Sequence, residues 1–164
     1  DELALRQAAS AVGASCCVAR IFAVSGPYMT KPELYALGDL IRQARGRSAI
    51  VLRAAGPVVR SYAAAEDVIA CGLLSLLAPP RGNFVCFDTS GEVVELEALA
   101  HRICRVLGLP AAEVQRPPGG GRENRYVGRA GEMEALAARL GLRLQTLDEQ
   151  LLLTAADLPD APTS

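Results

Sequence analysis

The sequence predicts an α/β layer structure, and two observations predict it. Segments 16–24, 50–52, 58–63 and 84–87 are apolar or β-branched runs of strand length, and they alternate with segments whose apolar residues recur at helical spacing. The runs at 16–24 and 84–87 are almost continuously apolar, the pattern of parallel strands covered by helices on both faces. At 164 residues the chain has the length of one domain with a single core.

Leu5, Ala8, Ala9 and Val12 form the stripe of a first helix, with Gly13 placed as its left-handed cap. Residues 16–24 then read as a central parallel strand, broken at Ser25-Gly26-Pro27. Leu34, Leu37 and Ile41 mark a second helix that runs out near Arg45-Gly46, and residues 50–52 a short strand. After the extended segment 58–63, Glu66 and Asp67 place acids in a first helical turn, where the helix dipole favours them. The expected buried stripe there is Ile69, Leu73, Leu76 and Leu77, ended by Pro79-Pro80. Phe84, Val85, Cys86 and Phe87 read as a buried strand, and Leu96, Leu99, Ala100, Ile103 and Leu107 as an amphipathic helix closed by Gly108. Residues 117–121 make a loop. Met133, Leu136, Ala137 and Leu140 mark a helix ending at Gly141, and Thr146 with Glu149 spells a capping box before the last helix. Residues 159–164 are expected to fray. Only three or four strands are expected, and the first helix has no strand before it, which is odd for a complete doubly wound sheet.

Composition excludes several functions. Lys and Arg number 17 against 18 Asp and Glu, and aromatics are 4% with no Trp, which argues against a nucleic-acid footprint or a base-stacking platform. The longest apolar stretch, 68–78, is interrupted by Gly72 and Ser75 and falls short of the ~20 residues that span a bilayer. Five cysteines without paired spacing point to a reducing cytoplasm. His101 and Cys104 share a helical face, but two ligands do not make a zinc site, so no metal is expected. No GK[ST] follows Gly119–Gly121 and no strand is expected before it, so it reads as a hinge and not a phosphate loop. Ser25 lacks a GxSxG context, and no nucleophile stands out. Arg20, inside the most apolar strand, must meet an acidic partner, an anionic ligand or the strand end. Arg60, Arg122 and Arg125 lie on separate segments, and arginine forks converging on one diphosphate suit its oxygens.

Four ordered segments carry a resemblance. Residues 20–28, Arg-Ile-Phe-Ala-Val-Ser-Gly-Pro-Tyr, resemble an RxFNxYGP strand end, and Arg60-Ser61-Tyr62 through Asp67-Val68 resemble R[SD][YF]xxxxDV. Residues 82–91 followed by Leu99-Ala100 are similar to GxxYNxGSG…ELA. Arg122 to Tyr126 with Leu140-Gly141 resemble a closing R…D…RY…LG stretch. Together they resemble the extended short-chain dehydrogenases/reductases, the NAD-dependent nucleotide-sugar epimerases and dehydratases, to about Asp157. The resemblance implies the C-terminal portion of a Rossmann fold, with the GxxGxxG cofactor loop and catalytic YxxxK upstream of Asp1. Residues 1–27 are then the last helix and strand of the Rossmann core. Residues 28–158 are the substrate-binding region, with a strand and helix at 83–108 returning to the core.

By the same resemblance Arg60, Arg122 and Tyr28 contact a nucleotide-sugar substrate. Gly26 and Pro27 lie near the nicotinamide end of NAD or NADP, and no catalytic residue is in the chain. The parent protein is expected to be a cytoplasmic homodimer active in deoxysugar or surface-polysaccharide synthesis, and the 164 residues alone inactive. Ala23 in place of an Asn, and Ser25 in place of the Tyr of YGP, leave the subfamily open. The alternative is a non-catalytic nucleotide-sugar-binding or protein-interaction module of the same fold.

Overall fold

Backbone pairing divides the long apolar run at 16–24 into two strands that belong to different sheets. In the computed structural model, which describes residues 1–46, 49–77 and 83–159, β1 (Cys16–Arg20) pairs in parallel with β5 (Phe84–Asp88). The next strand, β2 (Ala23–Ser25), pairs in parallel with β4 (Val58–Ala64). Ile21 and Phe22 make the break. The Phe22 N–H donates to Thr89 Oγ1 at 2.9 Å and its ring lies 4.7 Å from that of Tyr126, so the chain crosses from one sheet to the next over Thr89.

The longest strand, β4, organises the rest. Its first half lies between β8 (Asn124–Tyr126), parallel, and β6 (Val93–Glu95), antiparallel, while its second half carries β2. A separate parallel pair joins β3 (Ala49–Val51) to β7 (Glu113–Gln115). Among the described residues, eight strands therefore replace the three or four expected. Five of them are three residues long, too short to show any periodicity, and exist because a neighbour takes up their backbone groups.

Side chains alternate across β4, so Tyr62 and Ala63 enter different cores. The Tyr62 side is the larger. There α2 (Ala36–Gly46), α4 (Leu96–Val106) and α6 (Leu147–Asp157) bury Leu37, Ile41, Leu99, Ile103 and Leu151 essentially completely. Each such side chain is worth roughly 1.5–3 kcal/mol of transfer free energy. On the Ala63 side, α3 (Ala65–Leu77) and α5 (Glu132–Leu140) cover Val85 and Phe87 of β5. The loop after β5 presses on β4 so closely that a Cβ on Gly91 would stand 2.0 Å from the Tyr62 carbonyl oxygen.

Several expectations hold. The helix at 96–106 buries the expected Leu99, Ala100 and Ile103, the helix at 132–140 ends on a left-handed Gly141, and the Thr146–Glu149 capping box forms. Others are corrected. The first helix, α1 (Glu2–Val12), buries only Ala9, and its Leu5 and Val12 are exposed. The stripe predicted for α3 is outward: Ile69, Leu73, Leu76 and Leu77 are exposed, while Val68, Cys71 and Ser75 face the sheet. Leu34 is the exposed end of a 3-10 turn (Pro32–Leu34) before α2. Most consequentially, β1 is half-buried along its whole length, because it has a neighbour on one side only among the described strands. A strand does lead toward Gly119–Gly121, namely β7, but β8 follows and not a helix. The expected stop at Pro79-Pro80, and the tail beyond Pro159, lie outside the described residues.

Candidate functional site

Residues 52–60 trace a path past the groups that could hold an anion. It begins at a cavity of about 210 Å³ whose lining includes Tyr35, Asp39, Leu40, Leu52, Arg53 and Leu96. Gln43 fixes one wall by donating to Asp39 Oδ2 (3.1 Å) and to the Val51 carbonyl (3.3 Å), while its Oε1 accepts from the Val51 N–H (2.8 Å). Arg53 at the mouth donates to Asp39 Oδ2 at 3.3 Å and remains largely exposed. The walls are mainly apolar with a few polar groups at the rim, the composition of a small-molecule pocket.

The path then reaches Gly56, where the loop before β8 lies against the chain. A Cβ on Gly56 would meet the Gly121 carbonyl carbon and oxygen at 2.8 Å and the Arg122 oxygen at 3.0 Å. Asn124 N–H donates to the Pro57 carbonyl at 2.9 Å, completing the junction. Arg116, which the sequence reading passed over, closes it from beneath. Its Nη1 donates to the Gly56 carbonyl (2.5 Å) and its Nη2 to Glu95 Oε1 (2.8 Å). Burial alone would push the Glu95 carboxyl upward. Hydrogen bonds from Arg116 and from the Val58 and Glu97 N–H groups outweigh that and hold it below its ordinary value.

Arg60 stands further along β4. Its Nη1 donates to the Val59 carbonyl (2.8 Å) and to the carbonyl and Oδ1 of Asn124 (2.9 and 3.2 Å). The Nε and Nη2 of the same guanidinium have no hydrogen-bond partner among the described residues, and Arg122, two residues before Asn124, has none for its side chain and is exposed. The structure thus hydrogen-bonds Arg60 to Asn124, two residues after Arg122, and leaves both guanidinium groups with donors to spare.

Gly26, Pro27 and Tyr28 lie elsewhere. They leave the carboxyl end of β2 beside Ala64, about 13 Å along β4 from Arg60 at ~3.3 Å per residue. The last helix fixes them: Thr154 Oγ1 accepts from the Gly26 N–H (2.9 Å), Gln150 Oε1 from Ser25 Oγ (2.6 Å), and an Asp157 carboxylate oxygen from the Tyr28 N–H. Tyr28 is held at φ 67°, a left-handed conformation that costs a non-glycine residue about 1–2 kcal/mol, and its ring is 83% exposed. The polar stripe Gln150, Thr154, Asp157, at i, i+4, i+7 on a helix that is otherwise apolar after its acidic first turn, was a readable signal for this clamp.

Arg20 meets acidic partners. Its Nε and Nη2 donate to the two Glu2 oxygens at 2.6 Å each, and its Nη1 to Asp88 Oδ1 at 2.7 Å. These bonds hold both carboxyls below their ordinary values. The guanidinium therefore joins α1, β1 and β5 and is structural. His101 is exposed, Cys104 is buried, and no cluster of three metal-ligating side chains occurs among the described residues.

This arrangement of elements has counterparts among solved structures. RMD from Pseudomonas aeruginosa, complexed with NADPH, superposes with a TM-score of 0.72 over 95% of this chain and 52% of its own, at 16% identity. The UDP-glucose 4-epimerase of Thermotoga maritima, solved with UDP-glucose, gives 0.66 over 95% and 50% at 22% identity. The dTDP-glucose 4,6-dehydratase of Bacillus anthracis, solved with NAD, gives 0.63 over 86% and 43% at 17% identity. The chain has the fold of about half of each of these proteins. No family model and no curated protein matches the sequence.

Proposed function

We propose that this chain is the substrate-binding portion of an NAD(P)-dependent nucleotide-sugar epimerase, dehydratase or 4-ketoreductase of the extended short-chain dehydrogenase/reductase type. The observation that carries the reading is the hydrogen bonding of Arg60 to Asn124, two residues after Arg122, with donors left free on both guanidinium groups, in a fold that also holds a cavity with mainly apolar walls. The fold shared with proteins solved with UDP-glucose, NAD and NADPH supports it. In this reading the cavity takes the nucleoside and Arg53 guards its mouth. The free nitrogens of Arg60, with Arg122, hold the diphosphate as charge-assisted forks. Tyr28, displayed by the α6 clamp, borders the sugar. Anchoring the two phosphates fixes the sugar in one orientation, which removes translational and rotational freedom from any later step.

A nicotinamide cofactor supplies hydride exchange when bound. The residues described here do not fit it as a complete site. The one glycine run, Gly119–Gly121, leads into β8 and not into a helix N-terminus that could receive a pyrophosphate. Gly26 and Pro27 provide at most an edge at the nicotinamide end. The parent enzyme, read as a cytoplasmic homodimer of deoxysugar or surface-polysaccharide synthesis, draws its cofactor loop and proton-transfer groups from outside residues 1–164.

Calorimetric titration of the 164-residue chain tests the proposal. UDP-glucose, or its dTDP or GDP counterpart, is expected to bind, and Arg60→Ala to weaken that binding at least tenfold, with no uptake of NADH or NADPH. Binding unchanged in Arg60→Ala, or no binding of any of the three, overturns it. NAD-dependent turnover of a nucleotide sugar by these residues alone overturns the division of labour.

A further inference from the structure

The polar groups of the cavity beside Arg53 are unevenly divided between donors and acceptors. Four segments meet there: the 3-10 turn and the residue after it (Glu33, Tyr35), the first turn of α2 (Asp39), the end of β3 and its loop (Leu52, Arg53), and the start of α4 (Leu96). Leu52 is buried and Leu96 half-buried, which makes two walls apolar, and Tyr35 adds an aromatic side chain.

Asp39 is the less exposed of the two carboxylates, with 22% of its side chain accessible. Its oxygens are used differently. Oδ2 accepts from Gln43 Nε2 at 3.1 Å and from Arg53 Nη2 at 3.3 Å, whereas Oδ1 accepts no hydrogen bond among the described residues. Gln43 is itself pinned by the N–H and carbonyl of Val51, so it keeps the carboxylate from turning. Arg53 is held loosely: its Nη2 lies 3.3 Å from Asp39 and 3.4 Å from the Glu33 carbonyl, and its side chain is 75% exposed, so the fork can pivot onto a ligand. Glu33 brings a second carboxylate, tied only to Arg42 at 3.4 Å. The lining therefore sets two carboxylates against one guanidinium, a surplus of acceptors.

Nucleobases differ in how they meet such a lining. Guanine presents two adjacent donors, the N1–H and the N2 amino group, with the O6 acceptor beside them. Uracil and thymine present one N3–H between two carbonyls, so seating that donor on a carboxylate brings a carbonyl oxygen toward the acceptor surplus. Cytosine and adenine place one amino group beside a ring-nitrogen acceptor. We propose that the base this cavity takes is guanine, with Asp39 Oδ1 accepting from the N1–H and N2 amino edge and Arg53 donating to O6. The inference rests on the nucleotide-sugar reading and deepens it: the substrate is a guanosine-diphosphate sugar. Asp39 and Arg53 select the base, because the wrong edge leaves a carboxylate unpaired or facing a carbonyl. Arg60 and Arg122 hold the diphosphate whatever the base.

Calorimetric titration of the 164-residue chain with GDP, CDP, UDP and dTDP tests it, with circular dichroism to confirm that each variant folds. GDP is expected to bind roughly tenfold or more tighter than the other three. Asp39→Asn, whose amide oxygen can still accept from Gln43, should weaken GDP binding by about the same factor and narrow its lead over UDP and dTDP. Arg60→Ala should weaken all four together and leave their order unchanged. UDP, dTDP or CDP bound as tightly as GDP, with binding still sensitive to Arg60→Ala, overturns the assignment of guanine and leaves the nucleotide-sugar reading standing. A preference for GDP that survives intact in a folded Asp39→Asn chain overturns the role of Asp39. Binding of none of the four overturns both readings.

Discussion

The strands β4 and β1 are built from similar apolar sequence and end in different states. Six of the seven residues of β4 are buried, whereas every residue of β1 is half-exposed. The difference is in the neighbours and not in the strands. Around β4 stand β2, β6 and β8 at its edges and helices on both faces. Around β1 stand β5 on one edge and a single helix on each face. An apolar run therefore specifies what kind of cover a strand requires, and the rest of the fold decides whether it is supplied. The larger, closed core bears the proposed substrate site, and the open sheet bears the unmatched surface.

Substitutions sharpen the contrast. The largest effect belongs to the closed side: Leu99→Ala or Ile103→Ala, at fully buried positions, should cost about 2–5 kcal/mol by chemical denaturation. Gly91→Ala should fall at or above the upper end of the ~1–3 kcal/mol typical of overpacking, because its methyl has only the Tyr62 carbonyl to enter. Asp88→Ala probes the hinge between the regions. It strips partners from Arg20 and from the Arg129 N–H and should cost about 1–3 kcal/mol. On the open side Leu73→Ala, at an exposed position, should change stability by no more than about 0.5 kcal/mol. A Leu73→Ala loss as large as that of Leu99→Ala would erase the distinction.

The smallest effect is electrostatic. Bonds from Arg143 and from the Thr146 backbone and hydroxyl hold the Glu149 carboxyl down at about 2. Since this folded-state value lies below the unfolded one, its contribution to stability is present above the ordinary carboxylate range and is lost as pH falls toward 2. An NMR titration should place the Glu149 midpoint near 2 and show it rising in Arg143→Gln. A midpoint at the ordinary value in the wild-type chain would remove that pair from the fold.

What could be read beforehand follows the same line. The helix at 96–106 and the capping box at Thr146 were legible because periodicity and capping are local. Arg20 was legible as a residue in need of an acid, since a guanidinium in an apolar strand cannot stand alone. The outward stripe of α3 was not, because Ile69, Leu73 and Leu76 have the spacing of a buried face, and only the path of the chain shows which side the sheet takes. Of the three-residue strands, β3 was legible as residues 50–52 and β2 lay inside the run 16–24, whereas β6, β7 and β8 were invisible, being defined by partners. In the candidate site, Arg60 and Arg122 were found as residues, but the bonding of Arg60 to the segment after Arg122 goes with Gly56 and Gly121 touching across 65 positions of sequence. Arg116 went unnoticed because its partners, Glu95 and Glu97, belong to the start of another helix.

Amide hydrogen exchange on the 164-residue chain tests the central claim that β1 has one strand neighbour among the described residues and β4 has neighbours on both edges. Val59 and Arg60 are predicted to be protected, while Cys17 and Ala19, whose N–H groups point away from β5, exchange much faster. Protection of Cys17 and Ala19 in the 164-residue chain equal to that of Val59 and Arg60 would contradict it.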